Sequence, residues 1–211
     1  MAEPATERGR ETRDAILSSA ARLFHEHGVK ATSVDDVLAA AGAGKGQFYR
    51  YFASKSELVA GSVEYQIERY LDPQHQALAR LDDWPELERY LIALADDHER
   101  RGFAGGCPIG SLALELSGRE EDPEARLARA LDAWRSSLAA GLRKLSENGH
   151  LSAAAPHDRL AAATLASIQG AYLLATVHGD RRIMDDALGE AVRHLRAHAP
   201  DHQETAQNGT D

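Results

Sequence analysis

The chain has 211 residues, with 24 Lys and Arg against 33 Asp and Glu, and 43% of its residues are hydrophobic. That supplies enough apolar surface for a folded core and is too much for general disorder. Ala (38) and Leu (25) outnumber Val and Ile (13 together) almost fivefold, which favours helix over strand and excludes an all-β fold.

The acidity is uneven. Residues 1–60 carry 8 basic and 8 acidic side chains, and the remaining 16 and 25 account for the whole net charge of −9. An N-terminal module can therefore face phosphate even though the chain as a whole is acidic. Cys107 has no second cysteine to pair with, and no basic stretch followed by an apolar one opens the sequence, so a cytoplasmic location is expected. The most apolar run, Ala161 to Val177, is interrupted by Thr164, Ser167, Gln169 and Gly170 and falls short of the ~20 apolar residues of a membrane span. It reads as a buried helix.

Residues 1–10 are polar and contain Pro4 and Gly9, so a disordered arm is expected there. Ile16, Leu17, Ala20, Leu23 and Phe24 then form one stripe of a first helix from Thr12 to His27, closed by Gly28. Ser33 with Asp35 and Asp36 opens a short second helix that stops at Gly42. A third helix of barely two turns starts near Gly44 or Lys45, with Phe48 and Phe52 on one face. Ser54 and Glu57 form a capping box for a fourth. Further helical segments are expected at 55–72, 74–81, 85–101, 108–117, 124–147, 158–178 and 184–197, separated at Pro73, Pro85, Pro108, Pro123, Pro156 and Gly179. Residues 199–211 have no apolar period and are expected to be a disordered tail. The fold class is all-α, with an N-terminal domain over 11–58 and a larger domain over 59–198.

The second helix, the Gly42 turn and the third helix make a helix-turn-helix, whose second helix can enter a major groove. Lys45, Tyr49, Arg50, Tyr51 and Lys55 place five polar donors within eleven residues, suited to phosphate oxygens, and Gln47 can read a base edge. Lys45, Gly46, Tyr49, Phe52, Lys55 and Leu58 also resemble a run found in the TetR family of bacterial repressors. Arg13, Ile16, Ala20, Phe24, Gly28, Thr32, Val37 and Gly42 fall where that family's first helices are similar, so the resemblance covers residues 10–60. It implies that Lys45 and Gln47 touch bases or nearby backbone, that Tyr49 and Lys55 hold phosphates, that Thr32 holds phosphate at the start of the second helix, and that Phe24, Phe48 and Phe52 are core. Two positions depart from the family: Gly44 replaces a frequent Ser or Thr cap, and Tyr51 replaces a frequent His.

Other motifs fail. Gly42 to Gly46 looks like a phosphate loop, but Ala39 and Gly46 stand where Gly and Ser or Thr are needed, and no strand precedes it. His25 and His27 point to different helix faces, and His202 of the His194, His198, His202 stripe follows Pro200, so no metal and no cofactor are expected. No catalytic arrangement is visible. The larger domain is read as a ligand-binding and dimerisation body. Its helix over 158–178 is apolar or small around most of its circumference and must be buried on more than one face, and the resemblance to the TetR family implies that it packs with 184–197 in a homodimer. Candidate ligand-contacting residues are Phe103, Cys107, Leu112, Glu115, Trp134, Leu138, Ile168, Gln169 and Tyr172, with Cys107 either a reactive thiol at a helix start or simple packing. The expected function is that of a repressor released from operator DNA by a small molecule. An activator of the same family is the alternative, and an enzyme or interaction module with a vestigial helix-turn-helix is the reading from another class.

Overall fold

In the computed structural model, residues 6–118 and 122–200 are described, so the expectations for the first five residues and for 201–211 lie outside the described residues. The described residues form nine helices: α1 (Glu7–His27), α2 (Val34–Ala41), α3 (Lys45–Tyr51), α4 (Lys55–Ala79), α5 (Trp84–Arg100), α6 (Pro108–Leu116), α7 (Asp122–Glu147), α8 (His157–His178) and α9 (Arg181–Arg196). They divide into two compact units, one built from Met1–Gln74 and Arg101–Ala133, the other from His75–Arg100 and Trp134–Asp211.

Caps decide most of the boundaries. Thr6 accepts the Gly9 amide and starts α1 five residues earlier than the apolar stripe indicates, so residues 7–10 of the expected arm are helical. Ser33 and Asp36 bond each other's backbone amides at 3.1 and 2.8 Å, and Gly42 ends α2 in the left-handed conformation. The Ser33 hydroxyl and amide hold the Asp36 carboxyl below its usual 3.8, so the stability this cap adds is present above that pH and is lost as pH falls further. α4 corrects the expected break at Pro73. Proline removes one helix hydrogen bond, yet Leu71 and Leu78, seven residues apart on either side, are both fully buried, and burial carries the helix through.

In the first unit, Ile16, Leu17, Ala20 and Phe24 of α1 form a core with Val37 and Leu38 of α2, Phe48 of α3, Phe52 at its C-cap, and Leu58 of α4. The rings of Phe48 and Phe52 lie 5.6 Å apart. The loop before α6 wraps the end of α1. Arg101 Nη1 donates to His25 Nε2 at 2.9 Å and to the Gly106 carbonyl, while Ser111 Oγ lies 3.3 Å from His25 Nδ1 and donates to the Cys107 carbonyl. Because a guanidinium only donates, Nε2 must accept, and the imidazole proton sits on Nδ1 facing Ser111. Gly105, at φ +69°, passes so close that a Cβ would stand 2.5 Å from the His25 carbonyl oxygen. Gly105→Ala should therefore destabilise the fold by roughly 2–4 kcal/mol, from a left-handed alanine and an overpacked contact together. An unfolding midpoint in urea matching the wild type would refute this packing.

In the second unit, α9 packs on α8 and α5. Arg181 at the start of α9 joins Asp96 and Glu99 of α5 and Asp185 one turn on, and these carboxylates hold its guanidinium protonated still more firmly than usual. Arg196 at the other end bonds Glu88 at 2.7 Å and lies over the Trp84 ring. Trp134 and Tyr172 fill the interior: Trp134 Nε1 donates to the Tyr90 hydroxyl at 2.7 Å, and the Tyr172 hydroxyl donates to the Leu94 carbonyl.

Candidate nucleic-acid interface

The two turns of α3 separate cleanly into an inner and an outer side. Phe48, Tyr51 and Phe52 point into the core, and Lys45, Gln47, Tyr49 and Arg50 are exposed. Tyr49 is 67% exposed, a large ring left in solvent with its edge against Phe48, 5.2 Å between centroids. An aromatic side chain with a hydroxyl donor, flanked by Gln and Arg on a short helix that projects from a rigid base, has the composition of a helix that meets a nucleic acid duplex.

Each cation and polar group has a defined position. Lys45 Nζ pairs with Asp35 of α2 at 3.1 Å, and both side chains are about two-thirds exposed, so this surface pair is worth little and exchanges readily for phosphate. Gly44 has no side chain to cap α3, but Gln47 Oε1 reaches back to accept the Gly44 amide at 2.8 Å, which leaves its Nε2 amide as the donor end. Lys55 is half-buried and donates to the Val29 carbonyl at 2.6 Å, so it ties α4 to the α1–α2 turn with one of its three protons.

Two of the expected contacts are corrected by burial. Thr32 is 3% exposed, and its hydroxyl donates to the Gly28 carbonyl at 2.8 Å, also lying 3.3 Å from that of Leu23. Its proton closes the turn before α2 and is not aimed at a phosphate. Tyr51 is 6% exposed and stacks edge-on against Phe52, which makes it part of the platform beneath α3. Lys30, which the sequence reading passed over, is an exposed cation on the same α1–α2 turn that Lys55 anchors.

The nine ligand candidates fall in both units. In the first, Cys107 is buried and caps α6, its sulfur accepting the Gly110 amide at 3.4 Å. Phe103 holds a left-handed backbone at φ 59°, Leu112 is core, and the Glu115 carboxylate accepts the backbone amides of Val29 and Lys30. In the second, Trp134, Leu138, Ile168 and Tyr172 are buried within the unit and Gln169 is half-buried. Tyr90 and His98 join them: the His98 ring lies 4.8 Å from that of Tyr172, and its Nε2 is 3.1 Å from the Thr176 hydroxyl. The spacing 90, 94, 98 along one face of α5 was the available signal for this cluster. α5 and α9 also border an open apolar groove of about 520 Å³ lined by Leu91, Ile92, Leu188 and Val192, with Glu88 and Arg196 among its charged residues. None of the nine candidates lines it.

Among the described residues no group of three His, Cys, Asp or Glu side chains could hold a metal ion. The model for bacterial regulatory proteins of the tetR family matches residues 16–61, and the model for the tetracyclin repressor-like C-terminal domain matches residues 84–191.

The chain belongs to the tetR family. As a tetR-family protein it is a DNA-binding transcriptional regulator, and α2 and α3 are its helix-turn-helix. It is similar to an uncharacterised HTH-type transcriptional regulator in the lacX 3′ region of Lactococcus lactis, with 30% identity over 83% of this chain and 89% of the relative. The HTH-type transcriptional repressor DhaR of a Mycobacterium species is 28% identical over 83% of this chain and 88% of its own length. Among solved structures, the regulatory protein TetR from Rhodobacter sphaeroides superposes with a TM-score of 0.80 at 26% identity, covering 87% of this chain and 98% of that one. A TetR transcriptional regulator from Chloroflexus aurantiacus gives 0.79 at 26% identity, over 90% and 96%.

Proposed function

We propose that this protein is a homodimeric, cytoplasmic repressor that binds a pseudo-palindromic operator through α2 and α3 and is released from it by a small molecule bound in the larger domain. The observation that carries the reading is the outer side of α3: Lys45, Gln47, Tyr49 and Arg50 exposed over a base of buried aromatic rings. Repression is supported by the name of the relative DhaR, a transcriptional repressor.

Dimerisation is supported by α8. This helix is long and apolar enough to cross a membrane by length and composition. One side of it is spent inside the unit, through Leu160, Leu165, Ile168 and Tyr172. The opposite side carries Ala162, Ala163 and Ala166 in one half and Leu173, Leu174 and Val177 two turns on, all exposed and on one helix face. An exposed apolar face of this kind, on a regulator proposed to read a two-fold site, is a surface for a second copy. For the effector we retain Trp134, Leu138, Ile168, Gln169 and Tyr172, joined by Tyr90 and His98, because they combine buried apolar side chains with a few oriented polar atoms.

Selection from a random duplex library tests the central point. The protein should enrich two related half-sites in inverted orientation, with centres one helical turn or a multiple of it apart. A reporter placed behind the enriched site should rise when the protein is removed from the cell. No enrichment, or a single unpaired site, would sink the proposal.

A further inference from the structure

The α1–α2 turn is held by a residue far away in the chain. Glu115 of α6 accepts the Val29 amide through Oε2 at 3.0 Å and the Lys30 amide through Oε1 at 3.1 Å, so both carboxylate oxygens are used on two successive N–H groups of the turn. Val29 is also gripped from its other side, where Lys55 of α4 donates to its carbonyl. Gly28 makes room for this approach: a Cβ there would stand 3.3 Å from Glu115 Oε2. The next carbonyl back, that of Gly28, accepts the Thr32 hydroxyl, and Ser33 then caps α2. A turn of a few residues thus has its polar groups fixed by α4, α6 and its own threonine immediately before the helix that carries α3.

We propose that Glu115 is a positioning residue for DNA reading: its carboxylate fixes the α1–α2 turn and so sets the angle at which α2 and α3 meet the duplex. The inference rests on the assignment of α3 as the reading helix. Two adjacent N–H groups need two acceptors, and a carboxylate provides them without a competing donor. A carboxamide provides one acceptor and turns an N–H toward the second amide, which leaves that amide without a partner. The loss falls on alignment. Contacts to base edges depend on where α3 lies, whereas attraction to the phosphate chain depends mainly on charge.

The test compares full-length wild type and Glu115→Gln on two duplexes, the site enriched from the random library and a scrambled version of it, with amide hydrogen exchange measured on the free proteins. The expected result is faster exchange at Val29 and Lys30, an affinity for the enriched site lower by about tenfold, and an affinity for the scrambled duplex unchanged within about twofold, so that the ratio between them falls about tenfold. A merely destabilised protein would lose active fraction on both duplexes and keep the ratio. If Glu115→Gln does not fold, Glu115→Asp, which keeps both oxygens but shortens their reach, reads the same ratio. Unchanged exchange at Val29 and Lys30, or an unchanged ratio, overturns the positioning role. A wild type that enriches no site overturns the assignment of the reading helix, and the positioning role with it, even where the exchange result holds.

Discussion

Gln47→Ala should cost about 1–3 kcal/mol on the enriched operator and almost nothing on a scrambled duplex, while Arg50→Ala should weaken both alike and lower the slope of log affinity against log salt by about 0.9. The two residues are neighbours on the exposed side of α3, but they differ in what they offer. Gln47 spends its oxygen on the Gly44 amide just before α3 and presents an amide nitrogen, a group that distinguishes bases. Arg50 carries a charge whose neutralisation of a phosphate releases a counterion. Tyr49→Phe, which removes one hydroxyl from the most exposed ring of the helix, should follow Arg50 in affecting both duplexes without changing the salt slope. Lys55→Ala is expected to show both signatures, since it removes a cation and also the tie between α4 and the Val29 carbonyl. Fluorescence anisotropy over a salt series separates these cases. Equal losses on both duplexes for Gln47→Ala would remove it from base reading.

Leu173→Glu should convert the proposed dimer to a folded monomer. Leu173 is 61% exposed in the protomer and Val177 is 69% exposed, so a carboxylate at either position leaves the internal packing of the unit alone. In a two-fold interface the same substitution appears twice, and two unpaired charges brought out of water cost several kcal/mol. Operator affinity should fall with the dimer, because one half-site alone holds a single reading helix. Ala171 shows why the choice of position matters. It lies in the same helix but is 1% exposed, packed inside the protomer, so Ala171→Glu would unfold the unit and say nothing about association. Sedimentation at micromolar concentration decides the matter. A wild type that sediments as a monomer, or a Leu173→Glu variant that remains a dimer of unchanged stability, contradicts the assignment of this face.

The contrast between Leu173 and Ala171 also shows what could be read from the chain before its structure. Helix boundaries rest on local chemistry, so Ser33 with Asp36, Gly42 and Ser54 place α2, α3 and the start of α4 to within a residue or so. Pro73 misled because a local rule for breaking helices was overridden by non-local burial of Leu71 and Leu78. At the interface, residue types were legible and directions less so. Phe48, Tyr51 and Phe52 recur at the three- and four-residue spacing of one helix face, and that spacing, weighed above the hydroxyl of Tyr51, assigns it to the core. Thr32 carried no such signal, since its partners are carbonyls of the preceding turn. Glu115 could not be understood from sequence at all. It stands 86 residues from Val29, and its partners are backbone amides that are present in every residue type but proline.

The mass of the complex with the enriched duplex, measured by native mass spectrometry, tests the central claim most directly. The account predicts two chains on one pseudo-palindromic duplex, formed by wild type at nanomolar concentration and lost when Leu173→Glu separates the protomers or Gln47→Ala and Arg50→Ala are combined. A complex holding one chain, or no complex with any enriched duplex, would contradict it.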